Sequence, residues 1–309
     1  MTDEKEDSIK KNYNAIVVVN AKNANFNAGF DGLPRRLPDG RIFATDKALK
    51  YCIRQYLAEK GEKIFVERTR EFFVNENSNS GKSSPPEENK DIKLRYLTLE
   101  ENFKKKTMLN EMPKNEKLIV EKLKEFIDVR LFGVVFAVSS NISLTGPCQI
   151  SYGINQYADS SIYTIDILSP YRNPSEKSEE QQQTTKGEQS RADDVYYVYD
   201  VSLNMNSARK QGINITDEDI NKLKDALKYS VNNITSCTKF GCEIVSMVWF
   251  SNKDNKVFNN LNSLVKIKKE NDKVVVDYTD VFNIIKDDID SPVEEFKNKV
   301  EHRGIPTSK

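Results

Sequence analysis

A strand–helix–strand pattern occurs twice along this chain, and few sheet architectures accommodate it. In the first half, Tyr13-Asn14-Ala15-Ile16-Val17-Val18-Val19-Asn20 is a β-branched run bounded by asparagine. It has no polar alternation, which predicts a strand buried on both faces in the middle of a sheet. Thr45-Asp46 then opens a helix in which Ala48, Leu49, Cys52, Ile53, Tyr56 and Leu57 recur at helical spacing until Gly61. Residues 63–68 read as the next strand. In the second half, residues 128–138 are the strongest strand signal in the chain. Thr216-Asp217-Glu218-Asp219 opens a helix with an N-cap and first-turn acids, continuing through Leu223, Ala226, Leu227 and Val231. Residues 243–251, with Trp249, follow as an apolar strand. Two such halves predict an α+β chain with a ferredoxin-like, RNA-recognition-type sheet rather than a doubly wound parallel one.

Shorter signals fill in the rest. Helices are predicted within 92–110 and over 116–126. Residues 139–155 carry turn signals at Gly146-Pro147 and Gly153 and two short strand-like pieces, strands lie at 161–168, 195–203 and 273–278, and an acidic helix lies around 293–300. Residues 75–89 (Asn-Glu-Asn-Ser-Asn-Ser-Gly-Lys-Ser-Ser-Pro-Pro-Glu-Glu-Asn) lack the apolar content to order themselves and predict a mobile loop. Residues 175–191 form a second low-complexity stretch between two strands, as expected of a polar hairpin with a flexible tip.

The cysteines, Cys52, Cys148, Cys237 and Cys242, form no C-x-x-C pair, and buried reduced thiols are expected. His302 is the sole histidine, too few for triad or histidine-rich metal chemistry, and its polar surroundings predict a solvated side chain. The N-terminus has no apolar core of a signal peptide, and no apolar run approaches the ~20 residues of a membrane span, so a soluble cytoplasmic protein is expected. Lys plus Arg and Asp plus Glu are 47 each. Any nucleic-acid contact must therefore rest on local basic patches rather than on net charge.

One such patch is legible. The loop over 23–41 is rich in asparagine (Asn23, Asn25, Asn27) and glycine (Gly29, Gly32, Gly40), residues that tolerate left-handed backbone and expose N–H groups to an anion. Arg35, Arg36 and Arg41 add charge to the same loop. On the following helix Lys47, Lys50 and Arg54 fall at i, i+3 and i+7, a stripe suited to backbone phosphates. Neither a Walker lysine–hydroxyl pair nor G-x-G-x-x-G is present, which argues against nucleotide-triphosphate binding. Arg130-Leu131-Phe132-Gly133 echoes a known RNA-binding strand motif without its first glycine, and Phe132 and Phe136 read as core. Asp31, Asp39 and Asp46 are spread too widely for a two-metal nuclease, and capping accounts for Asp46. No metal or cofactor site is therefore expected.

Taken together, the segments Val19-Asn20-Ala21-Lys22-Asn23-Ala24-Asn25 through Pro34-Arg35 and Thr45-Asp46, then Asp128-Val129-Arg130-Leu131-Phe132-Gly133, then Leu144-Thr145-Gly146-Pro147-Cys148-Gln149-Ile150-Ser151-Tyr152-Gly153, resemble the type I-B branch of the CRISPR Cas-seven superfamily. The resemblance spans about 13–250. It implies one domain over 1–309: a modified RNA-recognition palm from about 13–68, 116–168 and 195–285, a finger insertion over 69–115, and a thumb hairpin over 169–195. It also implies a non-catalytic backbone subunit of a Cascade surveillance complex, polymerising along a CRISPR RNA that pairs with target DNA. The implied partners are further copies of itself, the large subunit, the guide 5′-end-capping subunit and the guide-processing endonuclease. The RNA-binding residues would be Asn23, Asn25, Arg35, Arg36, Lys47, Lys50, Arg54, Gly146 and Gln149. The family's Gly-Asp-Pro element is replaced by Phe26-Asn27-Ala28-Gly29-Phe30-Asp31, and its basic thumb cluster by Lys177, Lys186 and Arg191. The alternative readings are a type III-like backbone subunit cleaving target RNA through Asp31 and a metal, and a stand-alone RNA-binding module.

Overall fold

The computed structural model describes residues 11–74, 92–138, 141–169, 185–290 and 292–306. The first half contains β1 (Tyr13–Ala24), β2 (Phe43–Ala44), α1 (Asp46–Glu59), β3 (Arg70–Val74), β4 (Ile92–Tyr96), α2 (Leu99–Thr107), α3 (Glu116–Lys124) and α4 (Ile127–Phe132). Five strands follow: β5 (Gly133–Ala137), β6 (Asn141–Thr145), β7 (Cys148–Ile150), β8 (Gly153–Asn155) and β9 (Ile162–Ser169). The remainder comprises β10 (Thr185–Leu203), α5 (Met205–Lys210), α6 (Asp217–Tyr229), β11 (Cys242–Ser251), β12 (Lys266–Glu270), β13 (Lys273–Asp277), α7 (Thr279–Ile285), β14 (Glu294–Lys297) and β15 (Val300–Arg303).

The main sheet runs β14-β11-β1-β10-β8-β2, with β7 and β9 also paired to β10. Its pairings are antiparallel, so this is a mixed helix-and-sheet chain and not a doubly wound one. The β-branched run lies at the centre, between β10 and β11. Ala15, Val17, Val19 and Ala21 face a core shared with Leu49 and Ile53 of α1 and with Leu223 and Leu227 of α6. Ile16 and Val18 face the opposite core, closed by Val276, Tyr278, Val281 and Phe282. Burial on both faces is why this strand shows no polar alternation. A third apolar cluster gathers Phe65, Phe103, Ile119, Leu123, Phe126 and Phe136 beneath the β5–β6 hairpin.

Three secondary-structure expectations are corrected. Residues 63–68 form no strand; the Phe65 and Val66 amides donate instead to the Asp128 carboxylate, at 2.8 and 3.0 Å. Residues 127–132 are helical, and the strand starts only at Gly133, whose φ of 76° breaks the helix. The acidic helix around 293–300 is two short strands, β14 on β11 and β15 parallel to β13, joined by a turn with Lys299 at φ 59°. Elsewhere the helices expected over 45–60 and 116–126 and from Thr216 through Val231 are present as α1, α3 and α6, the strands expected at 161–168, 195–203, 243–251 and 273–278 lie within β9, β10, β11 and β13 to within a residue, and β9 and β10 pair antiparallel. The stretch over 75–89, expected as a loop, lies outside the described residues, as do 175–184 of the low-complexity stretch expected over 175–191; its remaining residues belong to β10.

His302 is not solvated. Its side chain is 3% exposed, with Nε2 2.7 Å from Ser246 Oγ and Nδ1 2.9 Å from Glu295 Oε2. Desolvation by burial pulls its pKa below the ordinary histidine value, against the pull of Glu295. Ser246 is fully buried beneath Tyr278, so this Ser–His–Glu array pins the C-terminal strands to β11 rather than offering a nucleophile. Among the cysteines, Cys52, Cys148 and Cys242 are buried and unpaired as expected, while Cys237 is exposed.

Candidate nucleic-acid interface

The asparagine-rich loop leaves the end of β1 and folds into two small hairpins, bridged at Ala28–Pro34 and Arg36–Ile42. Its turns consume N–H groups that its composition suggested were free: Gly29 donates to Leu33 O, Gly40 to Leu37 O and Phe43 to Arg35 O. Asn25 is buried, and its Nδ2 donates to Gly32 O at 3.0 Å and Ser190 O at 3.1 Å, tying the loop to β10. Asn23 is exposed at φ 49°; its Oδ1 accepts from the Tyr163 hydroxyl and its carbonyl from Arg191 Nη1. The base of the β9–β10 hairpin is thereby clamped to the first loop. Nothing in the sequence flagged Tyr163 or this role for Arg191, since the contact joins residues 140 and 168 positions apart.

The loop delivers the chain into α1. Thr45, the N-cap residue, does not cap the helix with its side chain; its N–H and Oγ1 both donate to Asn27 Oδ1 at 2.9 Å. The first-turn N–H groups thus have no side-chain cap, leaving the positive end of the helix available to an anion. Asp46 is neutralised by Lys50 at 3.1 Å. Asp31 is exposed and shapes its own turn, where Oδ1 accepts from Leu33 N at 3.0 Å. Asp39 pairs with Arg41, which holds that carboxyl below its usual range.

The predicted cationic stripe divides into two kinds of residue. Arg36 and Lys47 are exposed; Arg36 donates to Gly40 O within the loop, and Lys47 makes no ion pair among the described residues. Lys50 and Arg54 are only 13% and 14% exposed and stand over the Phe132 ring at 5.5 and 5.3 Å. Arg54 Nε also donates to Asp128 Oδ2 at 2.9 Å. Arg35 lies half-buried with its Nε unpartnered.

Asp128-Val129-Arg130 explains how this face is built. Asp128 is fully buried and holds Phe65, Val66 and Arg54 together. Arg130 meets Asp219 side-on, Nε to Oδ2 at 3.1 Å and Nη2 to Oδ1 at 2.6 Å, and its Nη1 reaches the carbonyls of Lys124 and Glu125. Asp219 also closes the capping box of α6 with Thr216. One short helix thus braces α1, α3 and α6. Behind it, Gly133 and Gly146 bring two backbones into contact: a methyl on Gly146 would overlap Gly133 N, Leu131 O and Phe132 C. Gln149 is exposed and donates to Gly146 O at 2.8 Å. Phe132 and Phe136 are buried, as expected of core residues.

The family described as CRISPR-associated protein Cas7 matches residues 11–286, the whole span from β1 to α7. The chain belongs to the Cas7 family. No curated protein matches the sequence of this Cas7-family chain. Among solved structures it is similar to a chain of a "CRISPR RNA-guided surveillance complex, pre-nicking", at 13% identity and TM-score 0.47, covering 80% of each chain. A chain of a "CRISPR RNA-guided surveillance complex" is similar at 11% identity and TM-score 0.44, covering 80% of this chain and 72% of that one. A chain of the "Type III-B Cmr-beta bound to cognate target RNA" is similar at 9% identity and TM-score 0.39, covering 77% and 60%. Among the described residues no group of three or more His, Cys, Asp or Glu gathers to hold a metal ion, and no helix is long and apolar enough to cross a membrane.

Proposed function

We propose that this Cas7-family chain is the non-catalytic, guide-RNA-binding backbone subunit of a type I Cascade complex, of the I-B branch. Successive copies line up along one CRISPR RNA, which pairs with target DNA and carries the sequence specificity. The observation that carries the reading is the family match over 11–286, laid on a loop whose turns end at the uncapped N-terminus of α1 beside exposed Arg36 and Lys47. The strand order β11-β1-β10-β8, with α1 and α6 packed on one face, supports an RNA-recognition-type palm. On this reading 69–115 supplies the fingers and 169–195 the thumb, all within one domain. RNA contacts fall on Asn23, Arg35, Arg36, Lys47 and Gln149, with Asn25, Lys50, Arg54 and Gly146 holding the surface in shape. The other partners would be the large, guide-capping and guide-processing subunits, in the cytoplasm.

The test is co-expression with a CRISPR RNA, followed by size-exclusion chromatography and sequencing of the bound RNA. A large particle holding a uniform processed guide supports the backbone role. Particles that form only on RNA unrelated to CRISPR repeats would point to a stand-alone RNA-binding module. Asp31 distinguishes the type III-like alternative. Its turn-forming contact with Leu33 supports a shaping role, so magnesium-dependent RNA cleavage lost in Asp31→Ala would overturn the non-catalytic reading.

A further inference from the structure

A groove of about 1140 Å³ opens between α1, the segment over 65–69, the end of β4 and β5. That exceeds the ~300–1,000 Å³ of an ordinary small-molecule pocket, so it has room for more than one nucleotide-sized group. It is an extension of the α1 surface already described. Lys47, Tyr51 and Arg54 fall at i, i+4 and i+7, so the exposed face of α1 leads from the asparagine-rich loop directly into the groove.

The chemistry of the walls is specific. Tyr51 on one side and Tyr96 on the other are 49% and 45% exposed. Tyr96 is held by two guanidinium groups, Arg68 and Arg70, at 5.8 and 4.5 Å from its ring centroid. Val66 and Val135 line the same groove and present apolar surface to solvent. Glu67 is the only carboxylate among the lining residues, and Lys106 pairs with it at 2.9 Å. Flat aromatic faces alternating with cations, over an apolar floor, are what unpaired nucleobases on a phosphate backbone require. A duplex would conceal its base faces from such a groove, and an acidic peptide would leave the tyrosine faces and valines unused.

We propose that this groove is a stacking subsite for unpaired nucleotides of a single-stranded RNA, with Tyr51 and Tyr96 as the stacking faces and Arg68 as a phosphate partner. The inference rests on the RNA-binding reading above and adds residues outside the loop-and-stripe surface. Because every base has a π-face, the subsite recognises unpaired bases without regard to their identity.

The test is fluorescence-anisotropy titration of the full-length protein with a labelled single-stranded RNA and with the same oligonucleotide carrying abasic positions. Tyr51→Ala and Tyr96→Ala should each weaken binding of the intact RNA by roughly 5- to 150-fold. Tyr51→Phe should bind like the parent, and the parent should lose affinity on abasic RNA while the alanine variants lose little more. Arg68→Ala should flatten the dependence of log affinity on log salt by about 0.7. The proposal is overturned if the alanine variants match the parent on intact RNA, or if their loss is the same on abasic RNA. It is likewise overturned if RNA affinity is unchanged while association with other polypeptides is lost, which would make the groove a protein-docking surface. A parent protein that binds neither oligonucleotide overturns the RNA-binding reading itself, a result distinct from failure of the tyrosine variants alone.

Discussion

Replacing Asp128 should do more damage than replacing any of the exposed cations. Its carboxylate is fully buried and accepts from Phe65 N at 2.8 Å, Val66 N at 3.0 Å and Arg54 Nε at 2.9 Å. In Asp128→Ala two backbone donors and a guanidinium, on a side chain only 14% exposed, lose their acceptor together. Removing one partner of a buried ion pair costs about 3–5 kcal/mol, because the remaining charge stays buried without compensation. That is a large share of the ~5–15 kcal/mol that holds a typical domain folded. Asp128→Asn retains one acceptor oxygen and should cost about 1.5–3 kcal/mol. Adding Arg54→Met to Asp128→Ala removes the stranded charge, so the double variant should recover about 1–2 kcal/mol relative to additivity. Urea unfolding followed by the fluorescence of Trp249, the sole tryptophan and a buried one, reads the global loss. Amide exchange at Phe65 and Val66 reads the local one. A loss below about 1 kcal/mol with unchanged exchange at both amides would refute the claim that this carboxylate braces the face.

Three further outcomes follow from the geometry. Asp200 is buried on β10 and burial pushes its carboxyl up to about 6, so the native state binds more protons than the unfolded chain between roughly pH 4 and 6. Its favourable contribution is present below pH 4 and lost as pH rises through 6; Asp200→Asn should remove that slope, an effect of up to ~3 kcal/mol in unfolding measured across that range. Gly146→Ala places a methyl against three backbone atoms and should destabilise by several-fold more than Gly32→Ala, whose cost is only its φ of 78° in open space; thermal melts of both variants compare them. Arg36→Glu with Lys47→Glu should weaken single-stranded RNA binding and reduce the salt slope by about 1.4, without changing the melting temperature, since both side chains are exposed.

Much of the scaffold was legible because it obeys local periodicity. β1 shows an unbroken β-branched run because both of its faces are covered, and α1 and α6 show apolar residues every three to four positions because one face of each packs on the sheet. The misreadings have non-local causes. Residues 63–68 look like a strand, but the acceptor for their amides is Asp128, some 60 positions away. Residues 127–132 are apolar enough for a strand, yet every residue except Arg130 is buried in a single helical turn and a half, which ends only because Gly133 turns left-handed. Glu294-Glu295-Phe296-Lys297 has the charge of a surface helix but buries half of Phe296 on one side of a strand. The candidate site was legible as a face but not as a set of partners. Spacing placed Lys47, Lys50 and Arg54 together, and only the fold shows that Lys50 and Arg54 are already engaged by Asp46, Phe132 and Asp128. Tyr51 lay within that same stripe, and an aromatic among cations was the signal available for the groove.

The two ends of the main sheet bear on how such a chain meets its neighbours. One end is β2, two residues long, and the other is β14, four residues of which Glu294, Glu295 and Lys297 are charged. Long bare edges invite strangers to continue the ladder, and short charged ones discourage it. Any polypeptide held beside further copies of itself at high local concentration is exposed to fusion of its sheets through long bare edges. Neither end of this strand path offers such an edge, so if copies line up as proposed above, contacts other than ladder extension at β2 and β14 would have to space them.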